Sequence, residues 1–256
     1  MTGVRGTRGT RGTRGTRGIR GIRGQVIVIA KEPVPGRVKT RLTPPFSQGE
    51  AAGLAAAALA DTLTAAVRVP AVRHVIALDG APGSWLPAGY NVIAQRGGGL
   101  DQRIAAAFSE AYARLPVPVV LIGMDTPQVT PELLEAAIRP LADGTADAAF
   151  GPAHDGGFWL LGLRRPDPRL VLGVPMSAAD TGAVQLARLL AAGLRVRQLP
   201  RCLDVDTAAD AVAVAGQIPQ SRFAATLRGM LEQPAVHALR HCYRPALRLR
   251  FGQHPG

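Results

Sequence analysis

The segment KEPVPGRVKTRL, residues 31–42, gathers chemistry-bearing residues in an unusual way. The chain holds 28 arginines and only two lysines, and both lysines, Lys31 and Lys39, fall within these twelve residues. Gly36 permits a turn and close backbone approach, Pro33 and Pro35 stiffen the entry, and Arg37, Lys39 and Arg41 place cations at alternate positions. A loop of this kind can hold phosphate oxygens through backbone amides and point charges. It is neither a G-x-x-x-x-G-K-[ST] loop nor a G-x-G-x-x-G fingerprint. On charge alone it is equally a solvated basic turn.

Three further clusters carry carboxylates. GMDTP (123–127) follows the very apolar VPVVLI, so Asp125 stands at the mouth of a buried strand. A carboxylate there is costly without a partner. A divalent cation bound with a nucleotide phosphate would serve, or Asp125 simply caps the next turn or helix. GPAHDGGFWLLGL (151–163) contains Asp155, Gly156 and Gly157, a tight turn able to bring backbone close to a ligand, with Phe158 and Trp159 as possible pocket walls. Asp-Gly is also a common hairpin signal, and a lone His154 beside a turn is more often exposed than catalytic. LDVDTAAD (203–210) alternates Asp204 and Asp206, which share a face in an extended segment and could grip one metal ion. One of them could instead cap the following helix. Taken together, the clusters supply phosphate-binding cations, carboxylates from two distant segments and a glycine turn for a second substrate. That is equipment for metal-assisted transfer to or from a nucleotide.

The elements that must position these residues are legible from hydrophobic pattern. QVIVIA (25–30) reads as a buried parallel strand. A helix over 47–67 follows, with Ser47 and Glu50 as a capping box. Strands are expected near 73–78, 90–94, 117–123, 146–151, 158–163 and 195–199. Helices are expected over 101–114, over 130–141 with Thr130 as N-cap and Pro131 first, near 180–192, and from Thr207. The alternation predicts a three-layer α/β/α domain with a mostly parallel sheet and ligands at the strands' carboxyl ends.

Net charge is +12, but it is unevenly placed. Residues 1–24, an Arg/Gly triplet repeat, carry +7, residues 216–256 carry +5, and the stretch 25–215 is neutral. The expected organisation is therefore a disordered basic arm (1–24), one nucleotide-dependent transferase domain (25–215) and a basic helical extension (216–256). Nucleic acid is an unlikely partner for the neutral core and could engage only the tails. Cys202 and Cys242 have no metal-site or disulfide spacing. No apolar run is expected to reach the roughly 18–20 residues of a membrane span, and no secretory signal pattern is present. A soluble cytoplasmic protein is the expectation.

The motifs AKEPVPGRVKTRL, GMDTP, GPAHDGGFWLLGLRRPDPRL and LPRCLDVDTAADA, in this order, resemble a bacterial transferase family of the glycosyltransferase-A (GT-A) superfamily. That family is named for its association with radical-SAM and selenium-related domains. It is related to 2-phospholactate guanylyltransferase and to the molybdenum-cofactor nucleotidyltransferases. The resemblance spans about 26–212 and implies a nucleotide-diphospho-sugar-transferase-like, Rossmann-like fold. It implies that Lys31, Gly36, Lys39, Arg41 and Arg103 contact the nucleotide, to which the charge of the loop adds Arg37, and that Asp155, Gly156 and Gly157 form the second-substrate turn. Asp125, Asp206 and Asp204 would hold Mg²⁺ or Mn²⁺, with Lys39, Asp125 and Asp155 catalytic. Two segments depart from the family pattern: Asp101 replaces a glycine in GGGLDQR (97–103), and MSAADT (176–181) replaces a Trp-Ser-Thr pattern. The implied partners are a nucleoside triphosphate or a nucleotide sugar and a small-molecule acceptor. Nucleotidyl transfer to a phosphorylated acceptor is preferred over glycosyl transfer.

Overall fold

The structure, a computed structural model, describes residues 21–232. The repeat arm up to residue 20, the tail beyond 232 and Cys242 lie outside the described residues, and so do the expectations attached to them.

Seven strands form one sheet in the order β3-β2-β1-β4-β6-β5-β7. They are β1 (Ile22–Lys31), β2 (Ala71–Asp79), β3 (Tyr90–Ala94), β4 (Val119–Ile122), β5 (Ala148–Pro152), β6 (Phe158–Leu163) and β7 (Val196–Gln198). All neighbours pair in parallel except β6, which runs antiparallel to both β4 and β5. Val26 and Val28 face one layer and Ile27 the other, which is why this strand reads as a continuous apolar run.

Helices α1 (Gln48–Arg68) and α3 (Pro131–Asp143) cover the first face, contributing Leu59, Leu63, Leu134 and Ile138 to its core. Helices α2 (Leu100–Arg114) and α4 (Thr181–Ala191) cover the second, through Phe108 and Leu189. The expected three-layer α/β/α fold is what forms. Local capping follows the sequence: Ser47 and Glu50 make both arms of a capping box, and Thr130 accepts from Leu133 N ahead of Pro131.

Two expected boundaries require correction. The core was expected to start at residue 25, but β1 begins at Ile22, which is buried and pairs with Ala71. Ile22 stands where earlier triplets carry threonine, and its apolar side chain joins the core beneath the sheet. The core was also expected to end near 215. Instead α6 (Arg222–Glu232) packs on the outer side of α1, where Phe223, Leu227 and Leu231 join Leu54, Ala57 and Ala58 in one apolar cluster, and α5 (Ala208–Gln217) packs against α6. Alanine-rich α1 is thus buried on two sides, and its small residues let α6 approach closely.

That same helix qualifies the membrane expectation. Among the described residues α1 is the one helix long and apolar enough to cross a bilayer, and half of it is buried against the sheet and α6. Phe223 is fully buried, so Phe223→Ala should cost about 3–5 kcal/mol. A clear fall in Tm on thermal unfolding would confirm that α6 belongs to the cooperative core, whereas an unchanged Tm would make it an appendage.

Candidate functional site

Strand register decides what stands at the carboxyl edge of the sheet. Lys31 lies opposite Asp79, Leu78 opposite Ala94, and Val28 opposite Ile122. The loops leaving these strands therefore open on a common cavity of about 640 Å³, a volume typical of small-molecule sites. Antiparallel β6 starts at this edge, so the Asp155–Gly157 turn joins it. Five cations (Lys31, Arg37, Lys39, Arg41, Arg103) and four carboxylates (Asp125, Asp155, Asp204, Asp206) line the cavity.

Lys39 is the centre of this arrangement. Its ammonium donates to Asp125 Oδ2 at 2.7 Å and to Asp206 Oδ1 at 3.0 Å, with the side chain only 13 % exposed. Burial pulls its pKa down, but the paired carboxylates of Asp125 and Asp206 outweigh that and hold it above the ordinary lysine value. The backbone delivers Lys39 from the left-handed region (φ 47°), as N-cap of a short 3-10 helix at Thr40–Leu42. A non-glycine residue there costs about 1–2 kcal/mol. Arg41 reaches Asp206 Oδ2 at 3.4 Å and is mostly exposed.

The capping alternatives for the aspartates fall away. Thr130 caps α3 and leaves Asp125 to Lys39. Thr207 caps α5 in a box with Asp210, a signal the sequence carried in TAAD, so neither Asp204 nor Asp206 serves as cap. Asp204 keeps one buried oxygen, Oδ1, without a hydrogen-bond partner. Burial, then the nearby charges of Asp125 and Asp155, push its pKa up to about 8.

Whether these residues suit a divalent ion can be judged from the donors. Among the described residues no three His, Cys, Asp or Glu side chains converge in a ready metal-holding cluster. The donor set is nevertheless all hard oxygen: Asp125 and Asp206 already converge on one cation, the Lys39 ammonium, and Asp204 has an unpartnered oxygen beside them. The set fits such an ion once Lys39 moves aside.

Arg103 is held by two residues that sequence reasoning missed. It donates to Asp79 Oδ2 at 2.8 Å and to Gln95 Oε1 at 3.3 Å, while Arg37 stands 3.9 Å from Asp79. Gln95 in turn donates to Ala30 O and Ala77 O, tying the ends of β1 and β2 together. Nothing local marks Asp79 or Gln95, because their importance arises only when β1, β2 and α2 meet.

The glycine turn is a hairpin with a second task. Asp155 is exposed and accepts from Gly157 N. Gly156 has φ +91°, and a Cβ there would lie 1.8 Å from Ala179 O. Gly182 N, at the start of α4, donates to Gly156 O at 2.7 Å. Gly36 (φ +76°) likewise shapes its loop, and neither Gly36 nor Gly156 lines the cavity, although Gly157 does. Phe158 and Trp159 both border it, yet they face opposite sides of the sheet, and the Trp159 indole is buried and donates to Pro200 O. His154 is exposed and outside the lining. Cys202 is buried, and burial raises its thiol to about 11, leaving it unreactive.

The two departures from the family pattern lie close to one another. Asp101 Oδ2 accepts from Gly173 N at 2.9 Å, and Thr181 Oγ1 accepts from Ala178 N and donates to Pro175 O. Together they strap the loop whose Met176, Ser177 and Ala178 border the cavity.

With this geometry in place, the chain can be set beside known proteins. A model of an uncharacterised protein family conserved in bacteria, DUF2064, matches residues 54–178. Among solved structures, the chain is similar to a candidate nucleotide-diphospho-sugar transferase from Desulfovibrio desulfuricans G20. That likeness has 29% identity and a TM-score of 0.72, and covers 89% of this chain and 97% of that one. A protein from Mycobacterium sp. strain JC1, homologous to one of Mycobacterium tuberculosis, shares 19% identity at a TM-score of 0.49, covering 78% and 99%. CMP:2-keto-3-deoxy-manno-octonic acid synthetase, solved with CTP, shares 14% at 0.49, covering 77% and 99%. No curated protein sequence matches the chain. The Desulfovibrio likeness agrees with the nucleotide-diphospho-sugar-transferase-like fold expected from the motifs.

Two measurements probe this site. Gly156→Ala should lower stability by about 1–3 kcal/mol more than Gly173→Ala, because Gly173 also has positive φ (+75°) but open space around an added Cβ; equal losses of Tm would remove the packing explanation. For Asp204 the folded pKa is raised, so the folded state holds a proton that the unfolded state releases. In metal-free protein its contribution is complete below pH about 4 and is lost as pH rises towards about 8. Asp204→Asn should therefore gain stability relative to wild type between those limits, read as the difference in Tm along a pH series. A constant difference would contradict the assignment.

Proposed function

We propose that this protein is a nucleotide-utilising transferase whose reaction is nucleotidyl transfer to a phosphorylated small molecule. The observation that carries the reading is the meeting of Lys39, Asp125 and Asp206 from three separate loops at one edge of the sheet, inside a cavity lined by four more cations. The likeness to the Desulfovibrio protein, over nearly its whole length, supports a nucleotide donor. Kinship with the radical-SAM-associated transferases, 2-phospholactate guanylyltransferase and the molybdenum-cofactor nucleotidyltransferases belongs to the same reading, and rests on the order of motifs.

A phosphate oxygen of the acceptor attacks the α-phosphorus of a nucleoside triphosphate. The bond from that phosphorus to the bridging oxygen breaks, and pyrophosphate leaves with the electron pair. Lys39 and Arg41 neutralise the triphosphate, and the exposed Arg37 and Lys31 can swing onto its outer oxygens. Arg103, braced by Asp79 and Gln95, offers a fixed guanidinium beside Arg37. Mg²⁺ or Mn²⁺ bound by Asp125 and Asp206, with Asp204 as a further ligand, would supply charge neutralisation at the transferred phosphoryl group. The chain itself contributes mainly positioning and preorganised charge. Asp155 accepts from Gly157 N through Oδ1 and borders the cavity, where it orients the second substrate together with Gly157.

Glycosyl transfer from a nucleotide sugar is the second reading, favoured by the Desulfovibrio protein's name and by Asp155, which could deprotonate an acceptor hydroxyl. Thermal-shift binding of pooled nucleoside triphosphates and pooled nucleotide sugars, each with Mg²⁺ or Mn²⁺, separates the donors. Triphosphates should raise Tm, and Lys39→Ala and Asp125→Ala should each weaken binding roughly 10- to 100-fold. Pyrophosphate release that depends on a phosphorylated acceptor then establishes the reaction. Release of UDP or GDP would select glycosyl transfer, and no shift with either donor would end both readings.

A further inference from the structure

We infer that Lys39 is a resident counter-cation that holds the metal position closed until a phosphate-bearing ligand arrives. Its Nζ lies 2.7 Å from one carboxylate and 3.0 Å from another, carried on segments that are far apart in sequence. A divalent ion bound by oxygens of the same two aspartates would sit about 2.0–2.6 Å from each. An ammonium and a divalent ion cannot share that space, since two cations within about 4 Å repel strongly in a partly buried site. The metal must therefore displace Lys39.

Displacement has a cost that depends on where the ammonium goes. The Lys39 side chain is 13 % exposed, so water does not readily take over its solvation. Of the other carboxylates lining the cavity, Asp155 accepts from its own turn, and Asp204 stands beside the position the metal would take. An incoming phosphate supplies the missing anion. Arg41, on the second oxygen of Asp206 and 74 % exposed, can follow the same exchange with little loss. Metal and nucleotide then bind with positive coupling. Because coupling is reciprocal, each ligand raises the other's affinity by the same factor. The inference rests on the nucleotide reading above for the identity of the anion, but the closing of the metal position by Lys39 does not depend on it.

Mn²⁺ binding followed by electron paramagnetic resonance tests this without turnover. Wild type should bind Mn²⁺ alone weakly, and Lys39→Met should bind it roughly tenfold or more tightly. Lys39→Gln, which keeps a polar side chain, provides a second variant should Lys39→Met fold poorly, with circular dichroism reporting the fold of each. In wild type, α,β-methylene triphosphate analogues should raise Mn²⁺ affinity by a similar factor, and in Lys39→Met they should raise it much less. Equal Mn²⁺ affinity in wild type and in folded variants would overturn the inference. So would an analogue that binds wild type, by thermal shift, without changing its Mn²⁺ affinity. If no analogue binds while the variants still gain Mn²⁺ affinity, the closed metal position is upheld and the nucleotide reading falls.

Discussion

A buried ammonium is costly unless its charge is answered, and the answer given to Lys39 organises the site. Several kcal/mol of desolvation per ion are typical of such burial. Here that cost is offset by two carboxylates at hydrogen-bonding distance. Because Asp125 follows β4 and Asp206 precedes α5, one side chain fastens three loops that are remote in sequence. Removing either aspartate would leave a partly buried charge with half its compensation. The left-handed backbone at Lys39 is a local strain of the kind that persists only where surroundings over-determine it.

The sheet makes this meeting possible by one reversal of direction. Parallel β1, β2, β3 and β4 bring their carboxyl ends to one edge, where βα loops open. Antiparallel β6 then adds a turn to that edge without needing another crossover helix. The result is a cavity with cations from the first loop, carboxylates from the loop after the fourth strand and from the late segment, and a glycine turn at its border. The outer helices stabilise it indirectly: α1 packs inwardly on the sheet and outwardly on α6, so the first loop is anchored on a helix held from both sides.

Much of this was readable because local and tertiary requirements coincide. Buried strands such as β1 and β4 are continuous apolar runs, and caps such as Ser47 and Thr130 sit where sequence places them. The candidate cations and aspartates also came from sequence, since charged residues just beyond apolar runs stand out. What escaped was governed by partners distant in the chain. Ile22 reads as repeat until Ala71 pairs with it, and the 216–256 extension reads as helical yet separate, because nothing local shows that Phe223, Leu227 and Leu231 close over α1. Asp79, Gln95 and the Asp101 bond to Gly173 carry no local signature at all. The tight fit of Gly156 against Ala179 O is likewise invisible until α4 is docked.

That docking has a consequence for how the chain can vary. The backbone leaves the site at Gly157 along β6, turns at the far edge of the sheet, and returns at Gly182, which bonds back to Gly156 O. The excursion is therefore a loop already closed at its base. Extra residues between the end of β6 and the short helical turn at Pro168–Leu170 would enlarge only that loop, at about 0.6 kcal/mol for each doubling of length. They would be added at the edge opposite the cavity, so the wall built by Met176–Ala178 could be kept in place while the outline of the molecule changes.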